Sequence, residues 1–263
     1  VIAISGKDRG AILPAGKTGT AYMYMAGTGH FATSTYYMKT HPACVKEFNA
    51  AKPADHYFKT SWTPLLPDAA YARSVPDEQP WFNPGGKLPK RLGSGDQPGL
   101  GFYGSLLPSP FADQLSLDFA RAAIAGEGLG QDNVTDILSV SLSGHDYINH
   151  GWGPESRLSQ DHLLQVDRML EVFFRDLDRI VGRDNYIAVL TADHGFMPAP
   201  EYSKTLGRDA GRLNVPQTLA ELNAGLVEKF GAGRWVRFWS ASGVMLDDAL
   251  IAKDGVDRRA LEA

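Results

Sequence analysis

Residues 136–150 read DILSVSLSGHDYINH, an apolar strand pattern that runs directly into polar and ligand-type side chains. Residues 136–142 are therefore predicted to form a strand. The stretch YIAVLTADHG at 186–195 repeats the arrangement, with a predicted strand at 186–191 followed by an Asp and a His. Apolar strands of this kind, alternating with helices, are typical of a parallel sheet covered on both faces. The predicted fold class is α/β.

Helical spacing of apolar residues separates these strands. The pattern predicts one helix over 110–127, a second over 159–181 and a third near 215–230. Residues 1–5, VIAIS, read as a further buried strand at the beginning of the chain. The order strand, helix, strand, helix, strand predicts a central, mostly parallel sheet between helical layers, an α/β/α sandwich.

Two regions interrupt the alternation. Residues 18–95 are rich in Tyr, Pro, Thr and Ser, and residues 196–263 mix Pro and Gly with one helix, so both are predicted as inserted cap or lid segments. Residues 1–17 and 96–195 remain as parts of the catalytic α/β core. The chain opens inside a strand pattern and closes in a helix pattern without a cap, and we expect it to be an internal piece of a longer protein.

The composition is that of a globular enzyme. The 263 residues are 43% hydrophobic and 21% charged, which is enough to bury a substantial core. A net charge of -4 and the absence of a basic patch argue against a nucleic-acid partner. No apolar stretch approaches the roughly 20 residues of a membrane span, so we expect no membrane insertion. Cys44 is the only cysteine, which excludes an internal disulfide and a thiolate metal site.

Two Asp/His pairs follow the predicted strands. Asp146 and His150 are four residues apart, so one helical turn would aim both at one ion, whereas the adjacent Asp193 and His194 suit a loop. Ligands bind at the carboxyl ends of strands in open α/β sheets, so we expect the four side chains to share one crevice. One such pair alone is more often a solvated loop or a helix cap. Both pairs together favour a site for zinc or a similar divalent ion.

A phosphate-binding segment is predicted directly after the first strand. Lys7 and Arg9 are two residues apart, and on an extended segment they would point to the same side. A lysine point charge beside a guanidinium fork is suited to gripping phosphate oxygens, although a solvated loop has the same composition. Residues 11–18, AILPAGKT, match the loosest form of a P-loop. Pro14 removes one of the backbone N–H groups that a phosphate cradle needs, so we reject a nucleotide-triphosphatase.

The remaining histidines are assigned no ligand role. His145 is interpreted as structural, because it points away from His150 under either local geometry. The others have no acidic neighbour at ligand spacing and are interpreted as surface or packing residues; they are His30, His41, His56 and His162.

Four motifs in sequence carry a family resemblance. SGKDRGAI at 5–12, TSTYY at 33–37, DYINHGWGP at 146–154 and LTADHG at 190–195 span most of the chain. In this order and spacing they resemble the zinc-dependent alkaline phosphatases of the phosphodiesterase/nucleotide pyrophosphatase branch. The resemblance implies an alkaline-phosphatase-like fold and hydrolysis of a small phosphate ester.

The resemblance also implies a role for each motif residue. Asp146 and His150 correspond to ligands of a first zinc, and Asp193 and His194 to ligands of a second. Lys7 corresponds, together with Arg9, to the pair that binds the phosphoryl oxygens. Family members pass through a covalent phospho-enzyme, and two metals stabilise the attacking and leaving oxygens.

The resemblance leaves part of the catalytic machinery unassigned. The family's nucleophile and one carboxylate ligand lie upstream of the Lys/Arg motif, and its last His ligand lies far downstream, so we name no nucleophile and expect this piece alone to be incomplete. Three interpretations stay open: an alkaline phosphatase acting on phosphate monoesters, a phosphodiesterase of the same branch, and a catalytically inert fragment. A periplasmic or secreted location is expected from the resemblance alone.

Overall fold

Strands and helices alternate in the computed structural model, which describes residues 1–240 and 243–262. The chain forms two units, Val1–Ala199 and Pro200–Ala263. In chain order, the strands and α-helices of the first unit are β1 Ile2–Ser5, α1 Asp8–Ala15, β2 Thr20–Met25, β3 His30–Ala32, α2 Ala43–Ala50, β4 Ser61–Trp62, β5 Lys90–Arg91, α3 Leu100–Leu106, α4 Pro110–Glu127, β6 Leu138–Ser141, α5 Gly144–Trp152 and α6 Arg157–Ile180.

A four-stranded sheet forms the centre of the first unit, in the order β3-β2-β1-β6. Strand β1 is parallel to both neighbours, with Ile4 opposite Tyr22 on one side and Val140 on the other. Strand β3 returns antiparallel to β2. The prediction of an α/β fold with a mostly parallel sheet is confirmed.

The two faces of the sheet pack against different helices because side chains alternate along a strand. Ile2 and Ile4 of β1 belong to the large apolar cluster that contains Phe119 of α4. Ala3, between them, faces the opposite way and packs with Ala11 of α1. Small side chains on that face let α1 lie close to the strands. The sheet therefore has helices on both sides.

The predicted helices agree closely with the structure. Helix α4 spans Pro110–Glu127 and the third predicted helix spans Val215–Phe230, both with the predicted bounds. Helix α6 begins slightly earlier than predicted, at Arg157, because the Ser156 hydroxyl accepts a hydrogen bond from the Ser159 amide and caps its first turn. The strand predicted over 136–142 forms over Leu138–Ser141.

Two sequence-based assignments differ from the structure. The strand predicted over 186–191 is not formed, and its apolar residues Ile187, Val189 and Leu190 are 91%, 84% and 92% exposed. A strand needs a hydrogen-bonding neighbour, and this stretch pairs with none of the described strands. The cap segment predicted to begin at 18 contains β2 and β3, which belong to the central sheet. Assignment of the rest of 18–95, and of 196–263, as a cap stays a prediction.

The second unit has its own apolar cluster. Trp235 is fully buried there with Ile251 and Leu261. Its elements are α7 Pro200–Thr205, α8 Val215–Phe230, β7 Val236–Ser240, β8 Gly243–Leu246, α9 Asp248–Asp254 and α10 Arg258–Glu262, with β7 and β8 antiparallel. Across the described residues of both units, no helix combines the length and the apolar character needed to cross a membrane.

Candidate metal and phosphate site

Helix α5 brings two of the predicted ligands together. Asp146 lies in its first turn and His150 in its last, so the spacing of four residues places both on one face, as predicted. The His150 Nε2 atom lies 3.3 Å from Asp146 Oδ1. Because α5 directly follows β6, this pair stands at the carboxyl end of the sheet, where the sequence places it.

Lys7 reaches the same carboxylate from the end of β1. It lies just before α1 with an extended backbone, and its amide donates to the Ser5 hydroxyl over 2.9 Å. Its ammonium is hydrogen-bonded to Asp146 Oδ2. Arg9 is exposed and lies in the first turn of α1, not on an extended segment as the sequence suggested. Both cations nevertheless border one cavity, because Lys7 directly precedes the helix and Arg9 lies in its first turn.

His194 completes a three-residue cluster around Asp146. Its Nε2 lies 3.2 Å from Asp146 Oδ1. Its Nδ1 lies 2.9 Å from the Gly195 carbonyl oxygen, which can only accept, so the proton of a neutral ring is on Nδ1 and the Nε2 lone pair faces the cluster. Asp193 lines the cavity, but its side chain is 86% exposed; its carboxylate accepts a hydrogen bond from the His194 amide over 3.1 Å and lies 3.7 Å from the His194 ring. How these side chains divide between two ions stays a prediction.

The donor set fits a divalent ion. One ligand atom each from Asp146, His150 and His194 lie within 4.8 Å of one another. Asp146 Oδ1 is buried without a hydrogen-bond partner among the described residues, an arrangement that is costly unless a cation occupies the position it faces. One carboxylate oxygen and two imidazole nitrogens are the ligands that zinc and similar first-row ions prefer.

Neighbouring charges tune these groups. Burial raises the pKa of Asp146, but the Lys7 ammonium and the His150 and His194 rings outweigh it and hold that pKa below its usual value. The hydrogen bond to the Gly195 carbonyl, followed by the Asp193 charge, raises the pKa of His194. A low pKa keeps Asp146 ionised near neutral pH, as a metal ligand must be.

All six predicted site residues line a single open cavity of about 460 Å³. They are Lys7, Arg9, Asp146, His150, Asp193 and His194. Tyr147 also lines the cavity, and the Lys7 ammonium lies 4.7 Å from the centre of its ring. Tyr147 was not predicted as a site residue from the sequence, although its position next to Asp146 could have indicated it. Phe196 was also missed. Its ring packs against His150 and His194, with centroid distances of 5.0 and 5.1 Å.

His145 of α5 and His162 of α6 contact each other, and neither lines the cavity. Their Nδ1 atoms are 3.3 Å apart and their rings stack. Burial lowers the pKa of His145 to about 4. His162 is a packing residue, as interpreted from the sequence, but it has an acidic partner that sequence spacing did not reveal, Asp113 of α4.

Comparison with known proteins places this arrangement in context. Residues 6–217 match the family described as type I phosphodiesterase / nucleotide pyrophosphatase. Alkaline phosphatase PhoV of Synechococcus elongatus is 41% identical over 205 residues, which cover 77% of this chain and 37% of PhoV. Alkaline phosphatase PafA of Elizabethkingia meningoseptica is 36% identical over 243 residues, which cover 88% of this chain and 43% of PafA.

The fold extends the similarity over nearly the whole chain. The crystal structure of wild-type alkaline phosphatase PafA superimposes with a TM-score of 0.87 and 33% sequence identity. The match covers 99% of this chain and 50% of the PafA chain. The chain thus spans about half the length of that relative.

Proposed function

The chain belongs to the type I phosphodiesterase / nucleotide pyrophosphatase family, and from that premise we propose that the intact protein is a metal-dependent alkaline phosphatase. Its substrates on this proposal are small phosphate monoesters. The names of PhoV and PafA support the proposal, since both are alkaline phosphatases.

The observation that carries the proposal is one cavity with two kinds of group. Lys7 and Arg9 line it together with the cluster formed by Asp146, His150 and His194. A phosphate monoester is a dianion, and two cations beside a divalent ion match its charge. A diester carries a single negative charge and requires an apolar pocket for its second substituent. The cationic side chains therefore favour the monoester.

Each side chain has a distinct task on this proposal. Asp146, His150 and His194 would hold a divalent metal ion, which would supply positive charge to the phosphoryl and leaving oxygens of an in-line displacement. Arg9 is free to turn toward the substrate, since its guanidinium has no ion-pair partner among the described residues. Lys7 leaves the Asp146 carboxylate and donates to a phosphoryl oxygen, where the transition state holds much of its negative charge.

We further propose two zinc ions and a covalent phospho-enzyme for the intact protein. The support is the family membership and a donor set of carboxylate and imidazole. Asp193 and His194 are the candidates for the second ion, as the resemblance implies; Asp193 lines the cavity outside the three-residue cluster. No residue of this chain is assigned as the nucleophile.

Export to the periplasm or the medium is proposed on the family resemblance alone, and cell fractionation tests it.

The deciding experiment compares two esters on the full-length protein. An aryl phosphate monoester and the matching aryl methyl phosphate diester are assayed side by side, before and after chelation and after addition of zinc. We expect a higher kcat/KM for the monoester, loss of activity on chelation and recovery with zinc. A higher kcat/KM for the diester would establish the phosphodiesterase alternative, and no turnover of either ester would indicate an inert protein.

A pair of histidine variants links the activity to the cluster. His194→Ala is expected to abolish activity and weaken zinc binding, because it removes one of the three ligand atoms. His56→Ala removes an exposed imidazole that lies outside the cavity and is the matched control. Equal zinc affinity and equal activity in the two variants would refute the proposed site.

A further inference from the structure

The beginning of α5 is capped by a residue from another helix. The first amides of a helix have no partner within it, and Ser143, at the N-cap, makes no side-chain hydrogen bond to them. Asp113 of α4 takes this role, because its Oδ1 accepts from the Gly144 amide over 3.0 Å in the protein interior. A carboxylate at this end of a helix also interacts favourably with the helix dipole.

Asp113 is in turn held by α6. His162 Nε2 lies 2.7 Å from Asp113 Oδ2, and the two side chains are 0% and 1% exposed. An ionised carboxylate only accepts hydrogen bonds, so the imidazole donates. The other ring nitrogen of His162 contacts His145, the second residue of α5. Two contacts from one buried pair therefore fix the first two residues of α5.

The buried pair Asp113 and His162 is packed tightly against the first residue of α5. A methyl group added at Gly144 would lie 2.5 Å from Asp113 Oδ2 and 2.9 Å from His162 Nε2. The helix can begin this close to the pair only because residue 144 has no side chain. The position of α5 is therefore set by two neighbouring helices at once, α4 and α6.

We infer that Asp113 and His162 are positioning residues that fix the start of α5 and thereby the direction of Asp146 and His150. Asp146 lies two residues beyond the capped Gly144, and His150 lies one turn further along the same rigid helix. Neither positioning residue lines the cavity. They act on the ligands through the helix backbone. This inference rests on the proposed function, because it requires Asp146 and His150 to bind a metal ion.

The test is zinc affinity in the full-length protein, measured by titrating the chelated protein with zinc alone. Asp113→Ala is expected to raise the zinc Kd about 10- to 100-fold, the range typical of groups that orient metal ligands. Asp113→Asn keeps an oxygen that accepts from the Gly144 amide and is expected to recover most of the affinity. Gly144→Ala is expected to resemble Asp113→Ala, because its methyl group displaces the carboxylate.

Asp161 provides the matched control. Like Asp113 it is a fully buried carboxylate, and it accepts hydrogen bonds from the Trp62 indole and the Leu65 amide, neither of which belongs to α5. Asp161→Ala is expected to lower the thermal stability of the chelated protein as much as Asp113→Ala does. Its zinc Kd is expected to stay within about threefold of the unaltered protein, because it keeps the contacts to the start of α5.

The outcomes separate this inference from the proposed function. Equal zinc affinity in Asp113→Ala and Asp161→Ala would overturn the positioning role. If Asp113→Ala does not fold by circular dichroism, Asp113→Asn and His162→Gln carry the test, since a Gln amide can still donate to Asp113. In that case, zinc affinity near normal in His162→Gln but reduced in His162→Ala supports the role, and equal affinity overturns it. If the unaltered protein binds zinc but hydrolyses neither ester, the phosphatase proposal is refuted. A weaker zinc affinity in Asp113→Ala than in Asp161→Ala would still support the positioning role in that case.

Discussion

Replacing Lys7 with Met separates substrate binding from metal binding. In the structure the Lys7 ammonium is hydrogen-bonded to Asp146 Oδ2, so it neutralises the carboxylate that is also the central member of the metal cluster. With substrate present, we expect the same ammonium to bind a phosphoryl oxygen. The substitution is therefore expected to weaken catalysis on the phosphate ester without weakening the binding of zinc.

The size of the effect follows from the interaction that is lost. A hydrogen bond between charged groups contributes about 1.5–3 kcal/mol, and Lys7 is only 17% exposed, so solvent screens it incompletely. At about 1.4 kcal/mol per factor of ten, kcat/KM for the monoester should fall about 10- to 150-fold. The diester should lose less, because it presents less negative charge.

Zinc affinity should not fall in the same variant. The ammonium repels a dication and occupies one oxygen of Asp146, so its removal leaves the carboxylate at least as available to the ion. Lys17→Met is the control, because it removes one positive charge at an exposed position outside the cavity. The assays are steady-state kinetics on both esters and zinc titration of the chelated protein. Parallel loss of zinc affinity and activity would refute the reasoning, since Lys7 would then act on the metal rather than on the substrate.

Three other substitutions probe separate features. Asp146→Asn removes the ionised carboxylate of the cluster, and zinc titration should show an affinity at least about 100-fold weaker. This effect exceeds the one expected for removing a residue that only orients a metal ligand. Ile148→Ala leaves a cavity at a fully buried position on α5 and should lower the free energy of unfolding by about 2–5 kcal/mol, measured by urea denaturation of the chelated protein. Burial lowers the pKa of Lys90 to about 8, below the value of about 10.4 expected in the unfolded chain. The buried charge therefore destabilises the folded state in full below pH 8, and this destabilisation disappears as the pH rises from about 8 to about 10.4. Lys90→Met should therefore be more stable than the unaltered protein at about pH 7. The gain in unfolding free energy should be less than about 3 kcal/mol, because the Trp152 ring attracts the ammonium of the unaltered protein. Paired urea titrations should show that this gain vanishes near about pH 10.5.

Local patterns in the sequence determined the elements whose stability is local. Helix α4 and the helix Val215–Phe230 have the predicted bounds because their apolar spacing and their terminal residues lie within the helices themselves. The Asp146 and His150 pairing was predictable for the same reason, since one turn of helix joins the two residues. The strand predicted over 186–191 failed because a strand is completed only by a neighbour, and apolar composition cannot provide one.

Only the tertiary structure decided which distant residues meet. Lys7 and Asp146 are hydrogen-bonded although 139 positions separate them, and Asp113 pairs with His162 across 49 positions. From the sequence, Asp113 was one acidic residue within a helix and His162 a packing residue. Their pairing depends on the angle and depth at which α4, α5 and α6 pack around the sheet. The sequence by itself therefore determined the fold class and the residue types of the site, because those follow from periodicity and short spacing. The carboxylate shared by the lysine and two imidazoles, and the buried pair beneath it, arise only when the packed core brings the ends of separate strands and helices together.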